Sequence, residues 1–171
     1  YLPNDHGFDA YEGIPYSNDM WAPYDPATKL WKKSKDWQTP LPWMVDGKSV
    51  AVVKNATDQS LLTHATTKAA LNFIREQGRK KEPFFAYLPY AAVHLPRVGH
   101  PDFLPAGAPT SKANKTGVEL TVHLKAQVEE LDAAVGQVFS ALKEQGVENN
   151  TIVLFMSDNG GSRGTSMGPL K

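Results

Sequence analysis

The stretch Asn150-Thr151-Ile152-Val153-Leu154-Phe155-Met156-Ser157-Asp158-Asn159-Gly160-Gly161 is an apolar run that stops in an acid, an amide and two glycines. The unbroken run at 152–156, with no alternation, predicts a strand covered on both faces, as in a parallel sheet flanked by helices. Such sheets carry their ligands beyond the carboxyl ends of their strands, which is where Asp158 and Asn159 fall. A carboxylate beside an amide carbonyl offers the hard oxygen ligands that Ca²⁺ or Mg²⁺ takes, and the glycines free the backbone to turn. The same residue types also build an ordinary Ser-Asp-Asn-Gly turn, so the stretch by itself leaves both readings open.

Working upstream, the clearest helix of the chain precedes this run. Leu120, Leu124, Val128, Leu131, Val135, Val138 and Leu142 recur at steps of three and four, which predicts one buried stripe ended by Gly146. Residues 97–115, rich in Pro, Gly and Ala, read as a surface loop. Before them, Phe84-Phe85-Ala86-Tyr87-Leu88 between Pro83 and Pro89 reads as a second short buried strand, and its carboxyl end leads to His94. Strand, loop, helix, strand is the order of a right-handed βαβ unit, which makes the two strands parallel. His94 and the Asp158-Asn159 pair then fall beyond the same edge. A cation held by oxygens, with a histidine that donates to an anion or protonates a leaving oxygen, suits hydrolysis of a sulfate or phosphate ester. A loop histidine bonded to backbone is the competing reading of His94.

The first half of the chain is less regular. Residues 1–40 hold most of the Trp and Tyr and read as a long ordered loop. Apolar residues either side of Asp46-Gly47 predict a β-hairpin over residues 41–53. Residues 63–77 predict a helix with Ala65, Ala69, Ala70 and Phe73 on one face and Ile74 at its edge, capped by Thr63 and ended by Gly78. His6 reads as a turn residue, His64 and His123 as solvated or packed helix residues, and Glu129-Glu130 as the wet side of the long helix. Trp21, Trp31, Trp37 and Trp43 read as packing residues. Gly160, Gly161 and Gly164 are followed by no Gly-Lys-Ser/Thr and make no phosphate-cradling loop. Asn55, Asn114 and Asn149 begin Asn-x-Ser/Thr triplets, which matter only in a glycosylating cell.

Composition narrows the classes. Eighteen basic residues balance eighteen acidic ones, so net charge gives no support to a nucleic-acid or anionic-membrane partner. No cysteine occurs, which excludes a disulfide framework, thiolate metal sites and a cysteine nucleophile within these residues. No apolar run approaches the length of a membrane span, so no membrane insertion is expected.

Three separated blocks carry a resemblance. They are His6-Gly7-Phe8-Asp9-Ala10-Tyr11-Glu12-Gly13-Ile14-Pro15-Tyr16-Ser17-Asn18-Asp19; Pro83-Phe84-Phe85-Ala86-Tyr87-Leu88 leading to His94-Leu95-Pro96; and Val128-Glu129-Glu130-Leu131-Asp132 with Val135-Gly136 and residues 150–160. In this order they resemble the type I sulfatases, the arylsulfatase family of the alkaline phosphatase superfamily. The resemblance implies an α/β fold, part of an alkaline-phosphatase-like sandwich whose mostly parallel central sheet is flanked by helices, with the small hairpin added. It further implies hydrolysis of sulfate esters by a formylglycine hydrate beside a divalent cation, Ca²⁺ or Mg²⁺. Asp158 and Asn159 match the family's late metal-binding pair, and His94 matches the histidine that contacts the substrate sulfate. The family's early aspartate pair and its Cys or Ser-x-Pro-Ser/Ala-Arg nucleophile segment are absent, and Lys171 matches no functional lysine.

The chain is therefore expected to be an internal part of a single sulfatase catalytic domain, inactive alone, with the nucleophile region and the C-terminal part missing. The expected partner is a small-molecule or glycan sulfate ester, and the family points to a periplasmic, secreted or lysosomal setting. Two alternatives stay open: a phosphate or phosphonate ester hydrolase of the same superfamily, and a non-catalytic relative that binds sulfated glycans.

Overall fold

The structure, a computed structural model, describes residues 1–20, 24–25, 30–31, 39–108 and 117–160, with the backbone alone at 24–25, 30–31 and 117–120. Trp21, Trp37, Asn114, Gly161, Gly164 and Lys171 lie outside the described residues. In chain order the strands are β1 (Glu12–Gly13), β2 (Tyr24–Asp25), β3 (Leu30–Trp31), β4 (Leu41–Val45) and β5 (Lys48–Val53). Residues 1–40 are thus not one loop: a 3₁₀ turn at Pro3–His6, β1 and the antiparallel β2–β3 pair interrupt them.

The hairpin forms where the Asp46-Gly47 pair predicts it. Asp46 (φ 43°) and Gly47 (φ 82°) both take the left-handed conformation, which matches the twist of paired strands, and Val45 lies opposite Lys48. Asp46 also ties down the first residues of the chain. Its Oδ1 accepts from the Tyr11 N–H at 2.9 Å and the Asn4 amide at 3.2 Å, while its own N–H donates to the Tyr11 carbonyl at 2.8 Å. These bonds bring β1 onto β4 and complete a three-stranded antiparallel sheet in the order β1-β4-β5. Its inner face closes a small core of Leu41, Val53 and Leu62, against which Ile14, Tyr16 and Trp43 pack. The Tyr16 hydroxyl donates to the Pro40 carbonyl, fixing the aromatic segment to the start of β4.

Three helices make the other half: α1 (Ala56–Ser60), α2 (Leu62–Lys80) and α3 (Gly117–Glu144). The helical stretch begins earlier than Thr63, because Asn55 caps α1 by accepting the Asp58 N–H at 2.9 Å. Thr63 is buried, and Gly78 lies inside α2, which ends at Lys81 in the left-handed conformation. Gly78 serves packing. A Cβ there would sit 2.6 Å from the Gln145 Cβ, so only glycine lets the end of α3 approach this closely.

The buried faces are rotated from the predicted ones. On α2 the buried row is Thr63, Thr67, Ala70, Ile74 and Gly78; of the predicted face Ala70 and Ile74 are buried, while Ala65, Ala69 and Phe73 are half-buried. On α3 the buried residues are His123, Ala126, Gln127, Glu130, Ala134, Ala141 and Leu142, whereas Val128 of the expected stripe is exposed. The alanines among them let backbones approach where Leu and Val would hold them apart. Gly99 shows it directly: a Cβ there would meet the Ala126 Cβ at 2.6 Å. His123 is fully buried at this contact and accepts the Gly99 N–H on Nδ1 at 2.9 Å. Glu130, expected on the wet side, is 5% exposed.

The two predicted central strands differ most from expectation. Among the described residues neither 84–88 nor 152–156 is paired into a sheet, and every ladder present is antiparallel, so the predicted parallel sheet is not seen. Phe84 packs on the α2–α3 core of Ile74, Ala141 and Leu142, with Val147 beside it, and meets Phe73 edge-on at 5.8 Å. Phe84, Ala86 and Leu88 are half-buried while Phe85 and Tyr87 point outward, the alternation of a strand seated on helices with its second face bare. Residues 152–156 are barer still, with Ile152 90% and Leu154 81% exposed. The architecture is α/β, a small antiparallel sheet beside an α2–α3 layer that carries two uncovered apolar segments.

Candidate active site

His94 stands in the turn that follows the 84–88 segment, its N–H donating to the Ala91 carbonyl at 2.9 Å. The side chain is exposed, yet its Nδ1 is fixed from two sides: 2.8 Å from the Leu95 carbonyl and 3.1 Å from Asn18 Oδ1. A carbonyl oxygen can only accept, so Nδ1 carries the proton and, in the neutral ring, Nε2 is the atom left for an incoming group. Arg97, buried behind the turn, donates from Nε to the Val93 carbonyl at 3.3 Å and closes the loop around His94.

Asp158 and Asn159 end the second bare segment, and both are exposed. The Asn159 amide donates to Asp158 Oδ2 at 2.9 Å, and the Gly160 N–H donates to Ser157 Oγ at 3.1 Å, with Gly160 at φ 75°. Among the described residues this pairing leaves Asp158 Oδ1 and the Asn159 side-chain carbonyl oxygen without a partner, two hard donors on adjacent residues. They fit a Ca²⁺ or Mg²⁺ ion as part of a shell, since six or more oxygens are usual. No group of three or more His, Asp or Glu among the described residues could complete it.

No hydrogen bond or ion pair joins His94 to Asp158 or Asn159 among the described residues. What relates them is their origin. The 84–88 segment leaves the core formed by Ile74, Ala141 and Leu142, and the 152–156 segment follows Val147, which packs on that core and accepts the Thr151 hydroxyl at 2.8 Å. A cavity of about 640 Å³ lies elsewhere, between the first residues, the hairpin, α2 and the 84–88 segment; neither His94, Asp158 nor Asn159 lines it. Its lining is mainly apolar, with His6, Tyr11, Glu12, Asp46, Asn72 and Glu76 among its polar residues.

A second titratable group was missed by the reading of α3. Burial pushes the Glu130 carboxyl up to about 7, partly offset by a hydrogen bond from the His64 backbone N–H in the first turn of α2 and reinforced by the nearby Asp102 carboxylate. His64 stacks on His100 at 5.9 Å beside it, and His100 caps the Pro101–Phe103 turn by accepting the Asp102 N–H at 3.2 Å. Glu130 thus joins α3 to the start of α2, a structural seam whose charge also reaches the Tyr90 hydroxyl beyond the 84–88 segment. No described helix is long and apolar enough to cross a membrane.

Comparison with known proteins matches the chain to one family. The Sulfatase family model matches residues 2–171. The chain is 30% identical over 165 residues to the N-acetylgalactosamine-6-sulfatase of Mus musculus, covering 92% of this chain and 27% of that protein. It is 31% identical over 179 residues to a sulfatase of Formosa agariphila, covering 93% and 32%, and 29% identical over 175 residues to arylsulfatase G of Mus musculus, covering 94% and 30%. The crystal structure of Ps i-CgsB superposes with a TM-score of 0.55 at 28% identity, over 85% of this chain and 31% of that one. The chain thus spans about a third or less of each protein it matches. With a family match running from residue 2 to residue 171, the chain belongs to the sulfatase family.

Proposed function

We propose that the protein carrying this chain hydrolyses sulfate esters, with Asp158 and Asn159 as part of its cation site and His94 as a contact to the substrate sulfate. The observation that carries the reading is the family match over nearly the whole chain, which includes all three residues. The exposed ring of His94 and the two open oxygens of the Asp158-Asn159 pair are consistent with it. Asp158 Oδ1 and the Asn159 carbonyl would hold a divalent cation, Ca²⁺ or Mg²⁺, which when bound supplies positive charge to the sulfuryl oxygens. His94 offers Nε2 to the same anion. Because Nδ1 already holds a proton, Nε2 accepts in the neutral ring and donates to a sulfate oxygen only in the imidazolium form.

The nucleophile, a formylglycine on this reading, lies outside these residues, which form an internal part of one catalytic domain. That the chain spans only 27% to 32% of its relatives supports this placement. A sulfated saccharide is the substrate class that best fits the relatives. One is named for N-acetylgalactosamine 6-sulfate, and Ps i-CgsB has been crystallised with k-i-k-neocarrahexaose. The test is release of inorganic sulfate from a sulfated sugar by the complete protein. Asp158→Ala is expected to lower turnover by roughly 100-fold or more and to reduce bound cation, since a lost ligand weakens transition-state charge stabilisation. Turnover close to that of the unaltered protein would overturn the reading, and release of phosphate but not sulfate from matched esters would replace it with phosphoryl chemistry.

A further inference from the structure

Asn18 is 3% exposed although it lies in an irregular segment, next to the exposed Ser17. A buried amide must satisfy both its ends, and among the described residues Asn18 does so on the turn that carries His94. Its Nδ2 donates to the Leu95 carbonyl at 3.3 Å, and its Oδ1 lies 3.1 Å from His94 Nδ1. The arrangement allows one assignment. The Leu95 carbonyl, 2.8 Å from Nδ1, can only accept, so Nδ1 is protonated; Asn18 must then present its oxygen to the ring and its amide hydrogens to Leu95. Flipping the amide would set two carbonyl oxygens against each other and two donors against each other.

The contact spans 76 residues of sequence, and the Asn18 segment is itself held firmly. The Met20 N–H donates to the Ser17 carbonyl at 3.1 Å, the Thr39 N–H donates to the Met20 carbonyl at 2.9 Å, and Tyr16 is bonded to Pro40. The segment joined to the start of β4 thereby reaches a ring in the turn after residues 84–88. We infer that Asn18 is a positioning residue for His94, one that holds the proton on Nδ1 and turns Nε2 toward the substrate; this rests on the assignment of His94 as a sulfate contact. Asn18 touches no reacting atom. Its consequence is that His94 enters the reaction with a defined acceptor at Nε2, and that a proton must be added there before the ring donates to a sulfate oxygen.

The test uses the complete protein labelled with ¹⁵N-histidine, the His94 signals being assigned by their loss in His94→Gln. With the ring neutral, His94 is expected to show a protonated Nδ1 and an unprotonated Nε2. Asn18→Leu removes one of the two acceptors at Nδ1, the Leu95 carbonyl remaining, and is expected to raise the Nε2–H share of the ring and to lower kcat/KM about tenfold or more, the usual scale for losing the group that orients a reactive histidine. Asn18→Asp keeps an acceptor oxygen at the ring but sets its other oxygen against the Leu95 carbonyl, and is expected to retain the Nδ1–H tautomer with a kcat/KM between those of Asn18→Leu and the unaltered protein, even where Asn18→Leu folds poorly. A wild-type ring protonated on Nε2, or an Asn18→Asp variant as impaired and as shifted in tautomer as Asn18→Leu, would overturn the inference. Sulfate release by His94→Gln separates the two levels. If that variant keeps full turnover, the role of His94 falls and the positioning role with it; if turnover is lost while Asn18→Leu leaves the tautomer unchanged, only the positioning role falls.

Discussion

The α2–α3 seam and the two bare segments are both apolar, and they meet opposite fates. Ile74, Ala141 and Leu142 are closed over within the described residues, while Ile152, Leu154 and Phe155 stand in solvent. The contrast shows that burial belongs to a pair of surfaces and not to a sequence. The seam closes because Gly78, Gly99 and the alanines of α3 bring their own partners close. The segments 84–88 and 152–156 have the composition of two-sided strands but lack neighbours on which to use it. The first is already half a strand, with Phe84, Ala86 and Leu88 turned to the helices. Their exposure fits the proposal that further parts of a larger catalytic domain cover them.

The sharpest way to break this comparison is a charge placed in a bare segment. In the complete protein Leu154→Asp should bury an unpaired carboxylate and cost more than about 4 kcal/mol, enough to prevent folding. In the chain expressed alone the same change should raise the soluble fraction, because the residue is already exposed. Equal behaviour in both settings would show that 152–156 is never covered. A change inside the seam should not discriminate: Ile74→Ala leaves a cavity and is expected to cost about 2–5 kcal/mol wherever it is measured by denaturant unfolding.

The seam also predicts a pH dependence. Glu130 has a folded pKa of about 7 against an ordinary value of 4.5, so between these values the folded state binds the proton that the unfolded state has released. Its contribution is therefore fully present below about 4.5 and is lost as pH rises through about 7, by on the order of 3 kcal/mol. Glu130→Gln should remove this slope relative to the unaltered protein; parallel stability-against-pH curves would contradict it. The smallest effect is expected at the hairpin. Gly47→Ala, at φ 82°, should cost about 1–2 kcal/mol in unfolding free energy and leave sulfate release unchanged.

Much of this was legible in the sequence, for particular reasons. Asp46-Gly47 announces its hairpin because a two-residue turn is decided locally. The existence of α2 and α3 follows from their period, but their buried faces do not. A count of Leu and Val picks the stripe from Leu120 to Leu142, of which Leu142 is buried and Val128 exposed, whereas His123, Gln127 and Glu130 are buried beside the alanines that allow closer approach. His94 and the Asp158-Asn159 pair could be singled out because each ends an apolar run in a polar group. Asn18 could not, since a single asparagine in a turn-rich segment has no pattern of its own and takes its meaning from a partner 76 residues away. The parallel relation of the two segments is a matter of pairing, and pairing needs strands that the described residues do not supply.

The most direct measurement is a crystal structure of the complete protein grown with Ca²⁺ and inorganic sulfate. The account predicts that residues 84–88 and 152–156 are parallel members of one covered sheet, that Asp158 and Asn159 bind the cation at about 2.3–2.6 Å, and that His94 Nε2 faces the sulfate beside it. A cation held elsewhere, with 152–156 still bare and His94 turned from the anion, would contradict it.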